Sequence, residues 1–352
     1  MFSSVLIKWY RGNKRDLPWR RTTDPYKIWL SEVILQQTRV EQGLDYYNRF
    51  VEEFPTVKHL ANASEDKVLK LWQGLGYYSR ARNLHHTAKL VMEKYKGVFP
   101  STYNELVLLK GIGNYTASAI SSFCSNEAKA VVDGNVYRVL SRIFGIATPI
   151  DSTIGKKEFA LLAEELLSKK DPATHNQAVM EFGALQCKPK NPDCAVCPLQ
   201  HKCAAVAVNK IAELPVKAKK TKVSKRYFEY FVFRYKDHLY IKKRTGDDIW
   251  KNLYDFPMLE SDTALKEEKV LNHALLLSYI DKRKYVLLEA GPVYKHVLSH
   301  QHIYARFWQF KFKQQPSAQK EWKKIPLSTV NAYAWPRLID KFLNNQLRSG
   351  QV

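Results

Sequence analysis

The hydrophobic period changes partway along the chain, and no single layer architecture accommodates both halves. Up to about residue 205 apolar residues recur at three- and four-residue spacing, as in Ser64–Trp72, Tyr103–Leu109, Asn135–Phe144 and Phe159–Leu167. An amphipathic helix opens the chain, with Phe2, Val5, Leu6 and Trp9 on one face, and turns fall at Gly74–Gly76, Gly97–Pro100, Gly111–Gly113 and Thr148–Pro149. Beyond residue 227 the period is two. Tyr227–Tyr235 alternates around a hairpin at Lys236–His238 into Leu239–Lys243, and His302–Phe312 is another aromatic-rich strand. A helix is expected over Leu265–Tyr279. The reading is a mostly α domain over residues 1–206, a linker over 207–226 and an α+β domain over 227–346. The linker's core, residues 215–226 (PVKAKKTKVSKR), carries six basic residues and no acid, as suits a segment lying against phosphates. No internal repeat is present.

The whole chain is basic. Its 352 residues include 56 Lys and Arg against 34 Asp and Glu, a formal charge of +22, more than solubility requires and pointing to a polyanionic partner, usually nucleic acid. Hydrophobic residues make up 45%, enough for packed cores and too many for a disordered chain. No apolar run reaches the roughly 18 residues of a membrane span, and the N-terminus lacks a basic leader and a small-residue cleavage site. A cytoplasmic protein is expected, associated with the nucleoid if bacterial.

Of five cysteines, Cys124 stands alone, while Cys187, Cys194, Cys197 and Cys203 sit within 17 residues at spacings of six, two and five intervening residues. Without an export signal that crowding means metal more than disulfide. Four thiolates suit zinc or an iron–sulfur cube equally well on spacing alone. Lys188, Lys190 and Lys202 lie in or beside the loops, so the same segment can meet a phosphate backbone.

Two carboxylates stand out by context. On a helix, Glu32 has Ile28, Trp29, Leu35 and Gln36 as its three- and four-residue neighbours, and a carboxyl desolvated there holds its proton; a helix-edge glutamate reaching solvent is the alternative. Asp133 begins a helix, where the dipole and free N–H groups should keep it ionised; taken alone it is an ordinary N-cap. One protonated acid and one anion form the contrasted pair that cleavage of a glycosidic bond requires. Between two helical stretches, Gly111-Ile112-Gly113 is either a tight turn or a backbone cradle for phosphate.

These segments resemble the MutY family of adenine DNA glycosylases, within the helix-hairpin-helix glycosylase superfamily. The likeness rests on LPWR (Leu17–Arg20), SEVILQQTRVE (Ser31–Glu41), GLGYYSRARNL (Gly74–Leu84), LKGIGNYTA (Leu109–Ala117), VVDGNVYRVLSRIFG (Val131–Gly145) and the cysteine spacing. It implies a helix-hairpin-helix glycosylase domain closed by a [4Fe-4S] cluster on Cys187, Cys194, Cys197 and Cys203. It further implies that Glu32 protonates adenine, that Asp133, with Asn135 beside it, stabilises the developing sugar cation, and that Tyr115 replaces the imine-forming lysine of relatives that also cut the strand. Gln37, Thr38 and Tyr77 match DNA contacts around the flipped base, joined by the backbone of Gly111 and Gly113. Arg20, Trp19 and Gln177 look like parts of the adenine pocket. The second domain resembles the family's nudix-like module through Trp250–Pro257, yet residues 260–279 lack the clustered acids of nudix hydrolases. The resemblance gives Leu298-Ser299-His300 the recognition of 8-oxoguanine, with Leu298 where the family usually has Phe. His296, His300 and His302 are read as packing and DNA-contact residues rather than a metal site. Duplex DNA containing A:8-oxoG or A:G is the implied partner of a protein acting as a monomer. The alternatives are an endonuclease III-like glycosylase for another damaged base and a non-catalytic iron–sulfur redox sensor on DNA; Tyr115 argues against the first and the paired carboxylates against the second.

Overall fold

The computed structural model describes residues 2–218, 222–280, 284–316 and 319–348. They divide into two units by internal packing: the described residues of Met1–Asn62 and Asn83–Lys220, and those of Ala63–Arg82 and Thr221–Val352. The second unit is thus discontinuous in sequence.

Helices follow one another through the first two thirds of the chain: α1 (Phe2–Asn13), α2 (Pro25–Leu35), α3 (Val40–Glu53), α4 (Val57–Asn62), α5 (Glu65–Trp72), α6 (Ser79–Lys94), α7 (Tyr103–Leu106), α8 (Asn114–Ser125), α9 (Gly134–Phe144), α10 (Thr153–Leu166), α11 (Pro172–Leu185) and α12 (Ala204–Ala207). Of these α5 belongs to the second unit, and the division falls inside α6. Their starts are chemically marked. Asp24 and Asp171 cap α2 and α11, each with proline at the first position, and Ser152 caps α10. In the first unit α1 packs along α11, α11 against α8 and α9, and α2 against α3 and α8. Leu6 and Tyr10 of α1 meet Val139, Phe159, Val179 and Phe182 in its core. α2 is buried around nearly its whole circumference, including Ile28, Trp29, Glu32 and Val33.

The segment read as a linker is partly structural. Ile211, Leu214 and Val216 pack on the helical core, Ile150 N–H donates to the Val216 carbonyl at 3.0 Å, and Ala218 N–H donates to Asp151 at 2.9 Å. These apolar contacts and hydrogen bonds tie the first part of the segment to the helical unit. The rest of the basic run falls partly on residues 219–221, outside those described.

The second unit is built on a mixed sheet: β1 (Ser224–Tyr235), β2 (His238–Lys243), β3 (Tyr254–Asp255), β4 (Met258–Ser261), β5 (Tyr285–Ala290), β6 (Tyr294–Val297), β7 (Gln301–Phe312) and β8 (Trp322–Pro326). The order is β3-β2-β1-β7-β5, with β4 also on β1, β6 on β7 and β8 on β2. β1 and β7 run parallel in register from Ser224↔Gln301 to Arg234↔Lys311, while the other pairings are antiparallel. Phe231, Phe233, Trp308 and Phe310 fill one face. In place of one helix over Leu265–Tyr279 there are two, α13 (Glu267–Leu271) and α14 (Ala274–Tyr279). The cause is His273, extended at φ −68° and ψ 133°, whose ring accepts from Leu275 N–H and starts a new helix. A last helix, α15 (Arg337–Arg348), closes the chain.

The segment Ala63–Arg82 is bound to this unit by polar contacts. Asp66 accepts from Lys243 Nζ at 2.5 Å and Tyr254 Oη at 2.9 Å, and Glu65 from Asn252 at 2.6 Å. Gln73 donates to Asp340 at 2.7 Å and accepts from Trp335 N–H at 3.1 Å, and Arg82 donates to the Lys251 carbonyl at 2.9 Å. Among the described residues no helix is long and apolar enough to cross a membrane.

Candidate active site

A cavity of about 440 Å³ opens in the helical unit, within the range usual for small-molecule sites. Glu32 from α2, Tyr115 from α8 and Asp133 and Asn135 at the start of α9 all line it. Glu32 is only 8% exposed. Burial pushes its carboxyl up to about 7; the Tyr115 hydrogen bond pulls it back, the Asp133 charge adds to the rise and the Arg20 cation opposes it. Tyr115 Oη donates to Glu32 Oε2 at 2.9 Å, and burial keeps this phenol neutral far above its ordinary range.

Asp133 caps α9. Its Oδ1 accepts from the N–H groups of Asn135 at 2.8 Å and Val136 at 2.7 Å, and its Oδ2 from the Asn135 side chain at 2.8 Å. Burial raises the carboxyl from its ordinary value even though these donors favour the anion. A helix start alone, as read from sequence, would lower it. Behind the pair, Arg138 donates to Asn135 Oδ1 at 2.8 Å, to the Gly183 carbonyl at 2.6 Å and to the Cys187 carbonyl at 2.7 Å. The orientation of Asn135 is therefore tied to the start of the cysteine loop.

Trp19, Arg20 and Gln177 line the same cavity. Trp19 packs edge-on against Tyr47, with ring centroids 5.1 Å apart. Gln177 accepts a hydrogen bond from Tyr10 Oη. Arg20 forms a two-pronged ion pair with Glu181, both contacts at 2.8 Å. Glu181, Arg15, Tyr10 and Arg138 escape sequence reading. The one available signal is the four-residue spacing of Gln177 and Glu181, which puts both on one face of α11. Gln37 and Thr38 stand at the rim, and Gln37 takes a left-handed backbone, φ 56°.

The glycine turn feeds directly into α8. Gly111 has φ +79°, and a Cβ there would lie 2.8 Å from that of Asn83. Gly113 is extended, with open space where a side chain would stand, and no side chain caps the first turn of α8. Gly113 and Asn114 are exposed, so free N–H groups of the helix start face outward.

The four clustered cysteines ring one small cavity floored by Ile143, Phe182 and Leu199. Arg142 Nη1 donates to Cys187 Sγ at 3.5 Å, while Cys203 Sγ donates to the Arg142 carbonyl at 3.4 Å. Burial raises the thiols of Cys194 and Cys197, and the charges of the neighbouring cysteines add to it. Among the described residues no three His, Cys, Asp or Glu side chains are spaced to hold a single ion. A ring of four sulfurs beside a guanidinium fits an all-thiolate iron–sulfur cluster in donor chemistry and charge.

A second cavity, of about 370 Å³, lies within the second unit between the Gly74–Tyr77 turn, Trp250 and the β6–β7 hairpin. Tyr77 is left-handed, φ 47°, next to Gly76 at φ 73°, and the Arg80 guanidinium lies over its exposed ring at 5.5 Å from the centroid. Its hydroxyl lies 3.4 Å from Ser299 Oγ, which is 3.3 Å from His300 Nδ1. His296 tilts against Trp250 with ring centroids 6.0 Å apart, and His302 lies on β7 opposite Val297.

A buried acid facing a capped aspartate, on a helical scaffold with an exposed glycine hairpin, defines a DNA glycosylase of the helix-hairpin-helix class. The model of the HhH-GPD superfamily of base excision DNA repair proteins matches residues 30–168, and that of the NUDIX domain residues 229–345. An adenine DNA glycosylase of Buchnera aphidicola subsp. Baizongia pistaciae is 35% identical over 312 residues, covering 86% of this chain and 84% of the relative. The human adenine DNA glycosylase is 43% identical over 213 residues, 58% of this chain and 39% of that one. Among solved structures, a thermostable thymine-DNA glycosylase superposes with a TM-score of 0.55 at 27% identity, over 59% of this chain and 95% of that one. An endonuclease III–DNA complex, at 22% identity and a TM-score of 0.51 over 59% of this chain and 94% of that one, shares the fold. The chain belongs to the adenine DNA glycosylase family.

Proposed function

We propose that this protein hydrolyses the N-glycosidic bond of adenine mispaired with 8-oxoguanine or guanine in duplex DNA, leaving the strand intact. The observation that carries the reading is the Tyr115–Glu32 hydrogen bond in a buried cavity that also holds Asp133. In this reading adenine is flipped into the cavity, the general device for reaching a base within a duplex. Glu32, still protonated near neutral pH, gives its proton to the base at N7. The C1′–N9 bond breaks, its electron pair leaves with adenine, and the cation on the sugar is held by Asp133, which Asn135 orients. Water then adds its oxygen to C1′, and Glu32 takes up the released proton. Tyr115 cannot form an imine, so no strand cleavage follows.

Gln37 and Tyr77, both in left-handed conformations, act as wedges in the base stack, with Thr38 beside the first. The Gly111–Gly113 backbone takes a phosphate. The Tyr77–Ser299 edge of the second cavity reads the base opposite adenine. Cys187, Cys194, Cys197 and Cys203 hold a [4Fe-4S] cluster, which when bound cross-links the loop after α11. The protein works as a monomer in the cytoplasm, associated with the nucleoid if bacterial.

The test uses labelled A:8-oxoG and A:G duplexes with wild-type protein and Asp133→Asn. Cleavage that appears only after alkali, and an Asp133→Asn rate lower by roughly 10²–10³ with duplex affinity within a few-fold, is expected. Excision of oxidised pyrimidines instead would favour the endonuclease III-like alternative.

A further inference from the structure

We propose that Glu181 is a positioning residue for the acid: by holding Arg20 in a two-pronged ion pair it keeps that cation from pairing with Glu32. The proposal rests on the reading of Glu32 as proton donor. Arg20 and Glu32 line one cavity, and the Arg20 cation is near enough to act on the Glu32 carboxyl through space. A free guanidinium there would turn to the buried carboxylate, ionise it and abolish the acid.

The geometry commits Arg20 elsewhere. The Glu181 side chain is 1% exposed and accepts five hydrogen bonds, from Arg20 Nη1 and Nη2 at 2.8 Å each and from Arg15 N, Nε and Nη2 at 2.9, 3.0 and 2.6 Å. Arg20 Nη1 also donates to the Arg15 carbonyl at 3.1 Å, and its guanidinium lies 5.6 Å from the centre of the Tyr10 ring. Each prong of Arg20 is therefore occupied on the side of α11. Two guanidinium groups against one carboxylate leave a surplus positive charge, which acts on Glu32 through space without bonding to it. The other groups that bear on Glu32 are Tyr115 from α8 and Asp133 at the start of α9; Glu41 of α3 acts on Arg15. None of them competes for Arg20. Burial alone would raise Glu181, yet the hydrogen bonds of Arg20 and Arg15 hold it down to about 2, so it is an anion near neutral pH.

The experiment measures single-turnover adenine excision by the full chain against pH, and in parallel titrates the Glu32 carboxyl in DNA-free protein by infrared difference against Glu32→Gln. For Glu181→Gln the alkaline limb and the infrared midpoint should both move about one pH unit or more lower, and the rate at neutral pH should fall about tenfold. Arg20→Gln should move both upward, and Arg20→Gln combined with Glu181→Gln should bring them back to the wild-type position or above it. Glu181→Asp, which keeps the anion, should stay with wild type. A Glu181→Gln limb that is unmoved or moves upward overturns the proposal. If Glu181→Gln does not fold, the Arg20→Gln curve decides, and coincidence with wild type overturns it. A wild-type protein that excises no adenine defeats the functional reading instead, while the infrared midpoint still reports on Glu181.

Discussion

At the scale of single residues, the site places an uncharged acid where water would ordinarily ionise it. Because the Glu32 carboxyl sits up at about 7, it is protonated below neutrality and excision should decline as pH rises through that value. The Tyr115 phenol stabilises the charged form, so Tyr115→Phe should carry the limb to higher pH. Protein stability follows the same sign. A folded-state value above the unfolded one contributes stability that is full below the ordinary glutamate range and is lost as pH climbs through about 7. Glu32→Gln, permanently neutral, should therefore melt higher than wild type in alkaline buffer, by up to about 3 kcal/mol, and equal it in acid. Thermal melts of the two proteins on either side of pH 7 check this; coincident curves at alkaline pH refute it. Glu32 was legible in sequence because a carboxylate among Ile28, Trp29 and Leu35 breaks an apolar pattern. Glu181 was not, because its partners Arg15 and Arg20 lie more than 160 residues away and only the packing of the chain's start on α11 joins them.

Among the elements, the glycine hairpin separates two demands that the sequence shows as one motif. Gly111 is required by its own fold, since an L side chain would meet both a left-handed backbone and the Asn83 side chain. Gly111→Ala should cost about 1–3 kcal/mol and lower the melting temperature by several degrees. Gly113 is free of both constraints, so Gly113→Ala should melt like wild type and yet bind duplex more weakly, because its Cβ enters the space where a phosphate approaches the helix start. Differential scanning fluorimetry with anisotropy titrations distinguishes them, and an equal loss of stability in both would refute the division. Other elements were only partly legible. Periodicity cannot reveal the capping ring of His273 that splits α13 from α14. Composition marks residues 215–226 as a basic run without showing that Val216 within it and Leu214 just before it pack on the helical core.

For the molecule as a whole, the segment Ala63–Arg82 matters most, and no pattern in the sequence assigns it to the second unit. Its ties to Lys243, Asn252, Tyr254, Trp335 and Asp340 all come from the later half of the chain. On the proposed reading, a fragment ending at Lys220 keeps the carboxylate pair and the four-cysteine loop and should bind iron and still excise adenine opposite guanine. Its preference for A:8-oxoG over A:G should shrink by roughly tenfold, as removal of about 1–3 kcal/mol of base contact requires. Amide hydrogen exchange over residues 65–82 should meanwhile accelerate by orders of magnitude while that of residues 114–140 stays protected. Unchanged exchange in the 65–82 segment would show that it needs none of those partners.

That discontinuity also sets a schedule for synthesis. The segment that presents Tyr77 leaves the ribosome roughly 140 residues before the first strand that completes its unit. At about 5–20 residues per second it waits on the order of ten seconds or more before Lys243 and Tyr254 are made to bond Asp66. A nascent chain paused anywhere in that interval exposes a sticky, half-finished surface, so slow codons would be least tolerated there and chaperone capture most frequent.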